Sequence, residues 1–384
     1  MRSMITIVSY IALAVASAVI QAPTWVPVAQ SERQEKAKSP RLSPLEISQL
    51  RAKANAGDAG AQASLGKAYQ DGNGVSRNDA MALQWYRKAA DQGDAEAESA
   101  LGIIYRMGEG VRPDTEEAVR WYRRAAKQRN PQAMFNLGVS YYNGDGVSAD
   151  PNLAYAWFLL AQEAGNAAAG DAVKRSAAEG ERLGITPDAL QQVAEMYLKG
   201  DDLQQSDSEA AKWYRKAADL KDPRAGVKLA AMLVDGRGVE RDYGQAMALC
   251  QKAAQQNYAS GQYCIGHLYQ RGLGVEANLK EAAKWFDMAS KRGQPQAMMT
   301  LAEMYWKGDG VGVDRPEAYY LFFLARRTGM AEAKTRAQTL WLEMSKEEIK
   351  HLEKKLRDLR FDPQKVFDSM QDQSVPNPQG SGHP

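Results

Sequence analysis

The chain has 384 residues, and 49 lysine and arginine residues nearly balance 47 aspartate and glutamate residues, which gives a formal net charge of +2. This balance excludes the basic excess that holds nucleic acid or an anionic membrane, so we expect no nucleic-acid partner. Only two cysteines and three histidines are present, and few thiol or imidazole groups are therefore available for catalysis or metal binding.

The N-terminus has the pattern of a secretory signal peptide. Arg2 precedes an uncharged apolar run over residues 4–20, and residues 16–18 form an Ala-Ser-Ala cleavage site. We predict a signal peptide over residues 1–18 and a periplasmic or secreted mature protein. The alternative is an uncleaved segment that anchors the chain to the membrane. No other apolar run is long enough to cross a bilayer, so we expect no transmembrane span in the mature chain.

A linker separates this segment from the first helix. Residues 19–43 are polar and contain three prolines, and we predict that they are disordered. Ser43 and Pro44 then open a helix over residues 44–57, because serine is a favourable N-cap and proline is favourable in the first turn. This helix matches the second half of the repeat described next, and such a half-repeat is expected to cover the open end of a repeat array.

A unit of 36 residues dominates the rest of the chain. Its clearest copy, residues 101–126, reads LGIIYRMGEGVRPDTEEAVRWYRRAA, with a turn at Gly108 and Gly110 between two apolar helices. We expect Asp114 to cap the second helix and Glu117 to complete a capping box. The unit opens with a Leu-Gly pair or a similar pair of an apolar and a small residue. This pair recurs every 36 residues, at residues 65, 101 and 137 and then at 193, 229, 265 and 301. The favourable N-cap residues that follow 13 positions later are Asn78, Asp114, Asp150, Ser206, Asp242, Asn278 and Asp314.

The pattern LGxxYxxGxGVxxDxxxAxxWYxxAA resembles the Sel1-like repeat, a relative of the tetratricopeptide repeat, over about residues 45–356. The resemblance implies an all-α fold, a right-handed α/α solenoid of seven helix-turn-helix repeats with capping helices. In such an array each unit buries its apolar face against its neighbours. Members of this family mostly act as adaptors or regulators of other proteins, so the resemblance specifies a fold and no particular activity.

We predict one repeat domain over residues 44–360. Two blocks of repeats lie at about 61–164 and 187–331, and an alanine-rich irregular helix at 165–184 separates them. The terminal helices lie at 44–57 and 331–360. The interruption allows a bend or hinge between two arms. Residues 361–384 end in a stretch rich in proline and glycine and are predicted to be a disordered tail.

The two cysteines lie on consecutive helices. Cys250 is on the second helix of repeat five, and Cys264 is on the first helix of repeat six. Each is seven residues from Asn257, in the turn between the helices, so the two lie at a similar height along the helical hairpin. In an oxidising compartment this placement favours a disulfide, provided that the Cβ atoms face each other. The alternative is two buried thiols that pack as small apolar groups.

The sequence offers no constellation for catalysis. Cys264 and His267 lie one helical turn apart, but two ligands without a second pair do not make a metal site. The glycine turns follow no strand and lack the lysine of a phosphate-binding loop. No GxSxG or SxxK motif is present. We therefore predict that the protein is not an enzyme and has no catalytic residue, cofactor or metal ion.

Resemblance to the tetratricopeptide repeat implies that the first helices line a concave groove, at positions two before, two after and five after the leucine of each unit. Large aromatic side chains on an accessible groove are typical binding anchors, and the alternative is that they pack between neighbouring repeats. The predicted partner-binding residues are Arg106, Phe135, Tyr142, Tyr263, His267 and Trp306. Val227, Ala231 and Val234 add an apolar floor that suits an extended or helical peptide.

We interpret the chain as a non-catalytic envelope scaffold or regulator that binds a protein or peptide in this groove. The alternative is a peptidoglycan- or β-lactam-binding protein or hydrolase, as suggested for cysteine-rich relatives in the family that the chain resembles. Those relatives carry a disulfide in every repeat, whereas this chain has a single pair of cysteines.

Overall fold

The computed structural model describes residues 41–183 and 185–370. The predicted signal peptide, nearly all of the predicted linker and the end of the predicted tail lie outside these residues. The described residues form nineteen α-helices and no strand, which confirms the all-α prediction. In chain order the helices are α1 (Pro44–Asn55), α2 (Ala59–Asp71), α3 (Asp79–Asp91), α4 (Ala95–Met107), α5 (Thr115–Lys127), α6 (Pro131–Asn143), α7 (Pro151–Glu163), α8 (Ala169–Leu183), α9 (Ile185–Lys199), α10 (Asp207–Asp219), α11 (Pro223–Asp235), α12 (Tyr243–Gln255), α13 (Ala259–Arg271), α14 (Leu279–Lys291), α15 (Pro295–Lys307), α16 (Arg315–Arg327), α17 (Glu332–Glu343), α18 (Lys346–Asp358) and α19 (Pro363–Met370).

The chain divides into two compact units. The first comprises residues up to Ala189 together with Asp202–Gln204, and the second comprises Leu190–Asp201 and the residues from Gln205 onward. The first unit contains three repeats, formed by α2 and α3, α4 and α5, and α6 and α7, preceded by α1. The second unit contains residues 190–199 of α9 together with α10, which belong to repeat four, the repeats formed by α11 and α12, α13 and α14, and α15 and α16, and the terminal helices α17–α19. The prediction of a single domain stays a prediction.

One capping residue joins the two helices of each repeat. In all seven repeats the predicted cap accepts a hydrogen bond from the backbone N–H three residues later, as predicted. Its own backbone N–H donates to the carbonyl nine residues earlier, at 2.9 Å from Asp114 to Tyr105 in repeat two. The predicted capping box was wrong in its second half, because the Glu117 carboxylate pairs with Arg120 instead of returning to Asp114.

The glycine that follows the leucine makes room for an aromatic ring of the same repeat. In repeat two a Cβ atom on Gly102 would lie 2.3 Å from the ring of Tyr122, which is fully buried. The same close approach joins Gly66 to Tyr86, Gly138 to Phe158 and Gly266 to Phe286. Because a packed interior leaves no slack for a methyl group, the ring and the glycine require each other.

In five of the seven described repeats, the second glycine of the turn packs against the preceding repeat. A Cβ atom on Gly146 would lie 2.2 Å from the carbonyl oxygen of Thr115, the first residue of α5. The corresponding glycines, which meet the first residue of the preceding second helix in the same way, are Gly110, Gly238, Gly274 and Gly310. The contact is therefore a repeating device that stacks one repeat on the next.

The helix α1 takes the place of a second helix ahead of repeat one. A Cβ atom on Gly74 would lie 2.7 Å from the carbonyl oxygen of Leu42, and the Leu42 N–H donates to the Asn73 side-chain oxygen at 2.8 Å. Ser43 caps α1 as predicted and forms a capping box with Glu46. This helix therefore covers the apolar face that repeat one would otherwise expose.

The C-terminal end differs from the prediction of a tail that begins at residue 361. Residues 363–370 form α19, whose side chains Val366, Phe367 and Met370 are buried. The ring centroid of Phe367 lies 4.8 Å from that of Trp341 on α17. Pro363 is the first residue of this helix, where proline is favourable. The apolar spacing that follows it was the missed signal.

Alanine substitutions in one turn separate backbone strain from repeat stacking. Gly144 and Gly146 both have a left-handed backbone, with φ of +79° and +72°. We expect Gly144→Ala to cost about 1–2 kcal/mol of unfolding free energy, because a Cβ atom is unfavourable in that conformation. Gly146→Ala should cost about 2 kcal/mol more, because its Cβ atom also strikes the backbone of Thr115.

Urea unfolding of both variants, followed by circular dichroism, measures the difference. Gly144→Ala is the matched control, since a Cβ atom there meets only ordinary contacts at 3.5 Å or more. Equal losses of stability in the two variants would contradict a stacking role for the second glycine.

Candidate functional site

Two neighbouring first helices of the second unit carry only uncharged residues at their predicted groove positions. The predicted groove positions on α11 and α13 are Val227, Ala231, Val234, Tyr263, His267 and Gln270, which we call the neutral face. Ala231 is exposed and the other five are half-buried, so the surface is accessible and largely fixed by packing. Helices α11 and α13 contact each other directly. The face therefore presents apolar and aromatic groups on a continuous pair of helices.

Packing holds the aromatic end of the neutral face in place. The Tyr263 ring centroid lies 5.5 Å from that of Phe286 in the core and 6.3 Å from that of His267. Burial lowers the pKa of His267, and the positive charge of Arg271 lowers it further, while Asp235 opposes both. His267 is therefore neutral at physiological pH, because its ordinary pKa is already below 7. No formal charge then remains on the six residues of the face.

A disulfide braces the helix that carries this aromatic end. Cys250 on α12 and Cys264 on α13 are bonded, with their Cα atoms 5.9 Å apart. Cys250 is fully buried at the position where Tyr122 stands in repeat two. The covalent bond therefore joins this position to the first helix of the next repeat, at the residue that follows Tyr263.

The groove positions of repeat seven are engaged within the second unit. The Trp306 indole N–H donates to the Glu343 carboxylate on α17 at 2.7 Å, and its ring contacts Phe322 edge-on at 6.3 Å. Glu303 forms ion pairs with Lys307 and with Arg336 on α17, each at 3.6 Å. Helix α17 therefore covers part of this stretch, and Trp306 contributes to the docking of α17.

In the first unit the structure corrects one of the predicted binding residues. Phe135 is only 2% exposed, and its ring centroid lies 5.5 Å from that of Phe158 on α7. Phe135 lies two residues before the leucine, and its side chain packs against the following helix. It is therefore a packing residue and not an accessible binding anchor. Arg106 and Tyr142, five residues after the leucine, remain half-buried on the first helices α4 and α6.

The second unit also contains a cavity of about 820 Å³, which no sequence motif indicated. The second helices α14 and α16 and the terminal helix α18 line it, and such distant segments leave no common motif. Its ionised groups largely pair with one another, since Lys291 contacts Asp287 at 2.6 Å and Lys355 contacts Glu317. The lining also includes Tyr320 and Leu324, which give it an apolar part.

Two further properties concern only residues 41–183 and 185–370. No cluster of three or more histidine, cysteine, aspartate or glutamate side chains is placed there to hold a metal ion. Among the helices in this part of the chain, none combines the length and the hydrophobicity that a bilayer span requires.

Seven segments of the chain match the family model described as Sel1 repeat, at residues 59–94, 95–130, 131–166, 187–222, 224–258, 259–294 and 295–327. These segments cover more than half of the chain and agree with the helix pairs of the structure. The chain belongs to the Sel1 repeat family. This confirms the resemblance on which the predicted fold depended. Members of this family typically mediate protein–protein interaction.

The chain is also similar to proteins of known structure. The chain is 32% identical to c5321, a protective antigen of uropathogenic Escherichia coli strains with an SLR fold; the match covers 81% of this chain and 70% of that one, with a TM-score of 0.41. A Sel1 repeat protein from Oxalobacter formigenes is 26% identical over 88% of this chain and 94% of its own, with a TM-score of 0.43. Yeast Tom70 is 15% identical over 88% of this chain and 63% of its own, with a TM-score of 0.32. No curated protein matches the chain.

Reduction of the disulfide is expected to destabilise the second unit. The bond closes a short loop, with a sequence separation of 14, and the chain-entropy model gives about 3 kcal/mol for a loop of this size. We expect dithiothreitol to lower the unfolding midpoint of the wild type in urea. Cys264→Ala is the control, because its stability should not respond to the reductant. Mass spectrometry verifies that the disulfide is reduced. An unchanged unfolding midpoint of the reduced wild type would contradict stabilisation by the disulfide.

Proposed function

We propose that the protein is a non-catalytic scaffold or regulator that binds an apolar segment of a partner protein on the neutral face. The observation that carries this proposal is the set of six uncharged groove positions on two neighbouring first helices, bounded by groove positions whose charges are paired. Toward repeat four, Glu195 lies 3.9 Å from Lys199, and toward repeat seven, Glu303 pairs with Lys307 and Arg336. An uncharged stretch between charged ones favours a partner segment with apolar anchors and polar flanks.

The rigidity of the neutral face also supports this function. Side chains that packing already fixes lose little conformational entropy when a partner binds. Tyr263 meets this condition through Phe286, and the bond between Cys250 and Cys264 fixes its helix. Tyrosine also offers a large amphipathic surface, which is typical of residues that dominate binding energy.

A single added charge tests the site. Ala231 is exposed on the neutral face, and Ala248 is exposed on the second helix of the same repeat. Glutamate is nearly as favourable as alanine inside a helix, so Ala231→Glu and Ala248→Glu should both fold normally. We expect Ala231→Glu to weaken partner binding by about tenfold or more, because the partner would have to desolvate a charge. Ala248→Glu should bind like the wild type.

The partner is identified by capturing it with the tagged protein from the membrane and periplasmic fractions of the source cell, followed by mass spectrometry. The proposal requires a protein that the wild type and Ala248→Glu enrich and that Ala231→Glu loses. A partner that all three forms retain would place the binding site elsewhere. Absence of any specific partner would contradict the scaffold function.

We further propose that the protein acts in the cell envelope, either in the periplasm or after secretion. The apolar run over residues 4–20 and its Ala-Ser-Ala site support export, and a disulfide is typical of proteins in oxidising compartments. In such a compartment the partner would be an envelope protein, and the assembly or regulation of an envelope process would be the role of the complex.

Export is tested by fusing alkaline phosphatase, which is active only outside the cytoplasm, after residue 43. We expect activity from the natural sequence and none from a Leu13→Arg control, because a charge interrupts the apolar run. N-terminal sequencing of the full protein should begin at Val19 if the segment is cleaved and at Met1 if it stays as an anchor. An inactive natural fusion would contradict the envelope location.

A further inference from the structure

One acidic and one basic residue lie at the C-terminal end of the neutral face, on neighbouring helices. Asp235 is the last residue of α11 and Arg271 is the last residue of α13, and they hold equivalent positions 36 residues apart. Both residues are exposed. Beyond the effect of burial, both charges act on the pKa of His267, which Arg271 lowers and Asp235 raises. The two charges therefore lie at the edge of the proposed binding surface.

Neither of these side chains is neutralised within the protein. Among residues 41–183 and 185–370, no ion pair and no side-chain hydrogen bond involves Asp235 or Arg271. The position one helical turn earlier, from which an oppositely charged side chain could reach them, holds Ala231 on α11 and His267 on α13. The same residues that make the face neutral therefore leave the charges at its edge without an intrahelical partner.

The repeats on either side show the other arrangement. At the equivalent position of repeat four, Lys199 lies 3.9 Å from Glu195, and in repeat seven Lys307 lies 3.6 Å from Glu303. In both repeats the acidic partner occupies the groove position two residues after the opening residue of the unit. Repeats five and six thus combine neutral groove positions with charges that stay available to a bound segment.

Other charges nearby do not form a second arrangement of this kind. Lys228 is also exposed, but it lies seven residues before Asp235, about two turns away, and its equivalent on α13 is Cys264. Arg237, on which the charge of Asp235 also acts, is already held by Asp207 at 2.8 Å. Opposite charges at the same level of α11 and α13 therefore mark the C-terminal end of the face.

We propose that the partner segment carries a basic residue that meets Asp235 and an acidic residue that meets Arg271, next to the apolar anchors that the neutral face receives. Equivalent positions on two packed helices are about 8–10 Å apart, and an extended chain advances about 3.3 Å per residue. A segment that crosses the two helices would therefore carry its two charges about three positions apart.

The inference rests on the proposed function and adds the direction in which the segment binds. A segment in the correct direction places opposite charges together at both positions, whereas the reversed segment places like charges together. Because both residues are exposed, each ion pair alone adds little affinity. The pair therefore selects among apolar segments and does not replace the apolar contacts.

An exchange of the two charges tests this pair without changing the net charge. Asp235→Arg with Arg271→Asp, which we call the charge exchange, reverses the order of the charges at exposed positions, so it should keep the fold. Arg215→Asp with Asp219→Arg is the matched control on the second helix α10, where both residues are exposed. Ala231→Glu blocks the neutral face itself.

A library of short random peptides displayed on phage is selected against the full protein, the charge exchange and the control. We expect the wild type and the control to enrich peptides with a basic and an acidic residue about three positions apart in one order, beside apolar residues, and the charge exchange to enrich the reverse order. A synthesised peptide from the wild-type selection should bind the charge exchange about tenfold more weakly and the control equally well. Its affinity for the wild type should fall as the salt concentration rises, since salt screens exposed ion pairs.

Wild-type peptides without such a charge pair, or the same charge order in the wild-type and charge-exchange selections, would overturn the inference. If those peptides nevertheless lose binding with Ala231→Glu, they support the proposed function on the neutral face by itself. Peptides that Ala231→Glu binds as well as the wild type would overturn both proposals. A selection that recovers no peptide would overturn the inference, and together with failed capture of a protein partner it would overturn the proposed function as well. Circular dichroism of each variant verifies that lost binding is not lost folding.

Discussion

The stacking of consecutive repeats depends on a close approach between a glycine and a helix start. At Gly146 the backbone of one repeat comes so near the Thr115 carbonyl that no side chain fits between them. The left-handed conformation of the same glycine lets the turn enter this contact. Since a repeat protein has no common core, each of these contacts transmits the position of one helix pair to the next. The capping residue, and the aromatic ring that packs on the glycine after the leucine, act inside a repeat.

Repeat five departs from the pattern of its neighbours, and the departure bears on function. Cys250 stands where other repeats bury an aromatic ring, which removes much apolar contact between α12 and the helices around it. The disulfide to Cys264 compensates with a covalent link to α13. That helix presents Tyr263 and His267, so the disulfide supports the surface that we propose for binding. A fixed helix suits recognition, because less order has to be imposed when the partner arrives.

The proposed binding surface, the neutral face of the second unit, presents apolar and aromatic groups and carries no charge on its six residues. Such a surface favours a partner segment with apolar anchors. Membership of the Sel1 repeat family accords with a role in protein–protein interaction.

The sequence by itself determined the repeat, its caps and its turns, because those features follow from the chemistry of neighbouring residues. A short polar side chain caps a helix, and glycine permits a left-handed turn, wherever they occur. Only the tertiary structure decided which groove positions stay available. It buries Phe135 against Phe158, engages Trp306 with Glu343 and leaves Ala231 exposed. Those outcomes depend on which side chain of the next helix reaches the position, and a one-dimensional period does not contain that information.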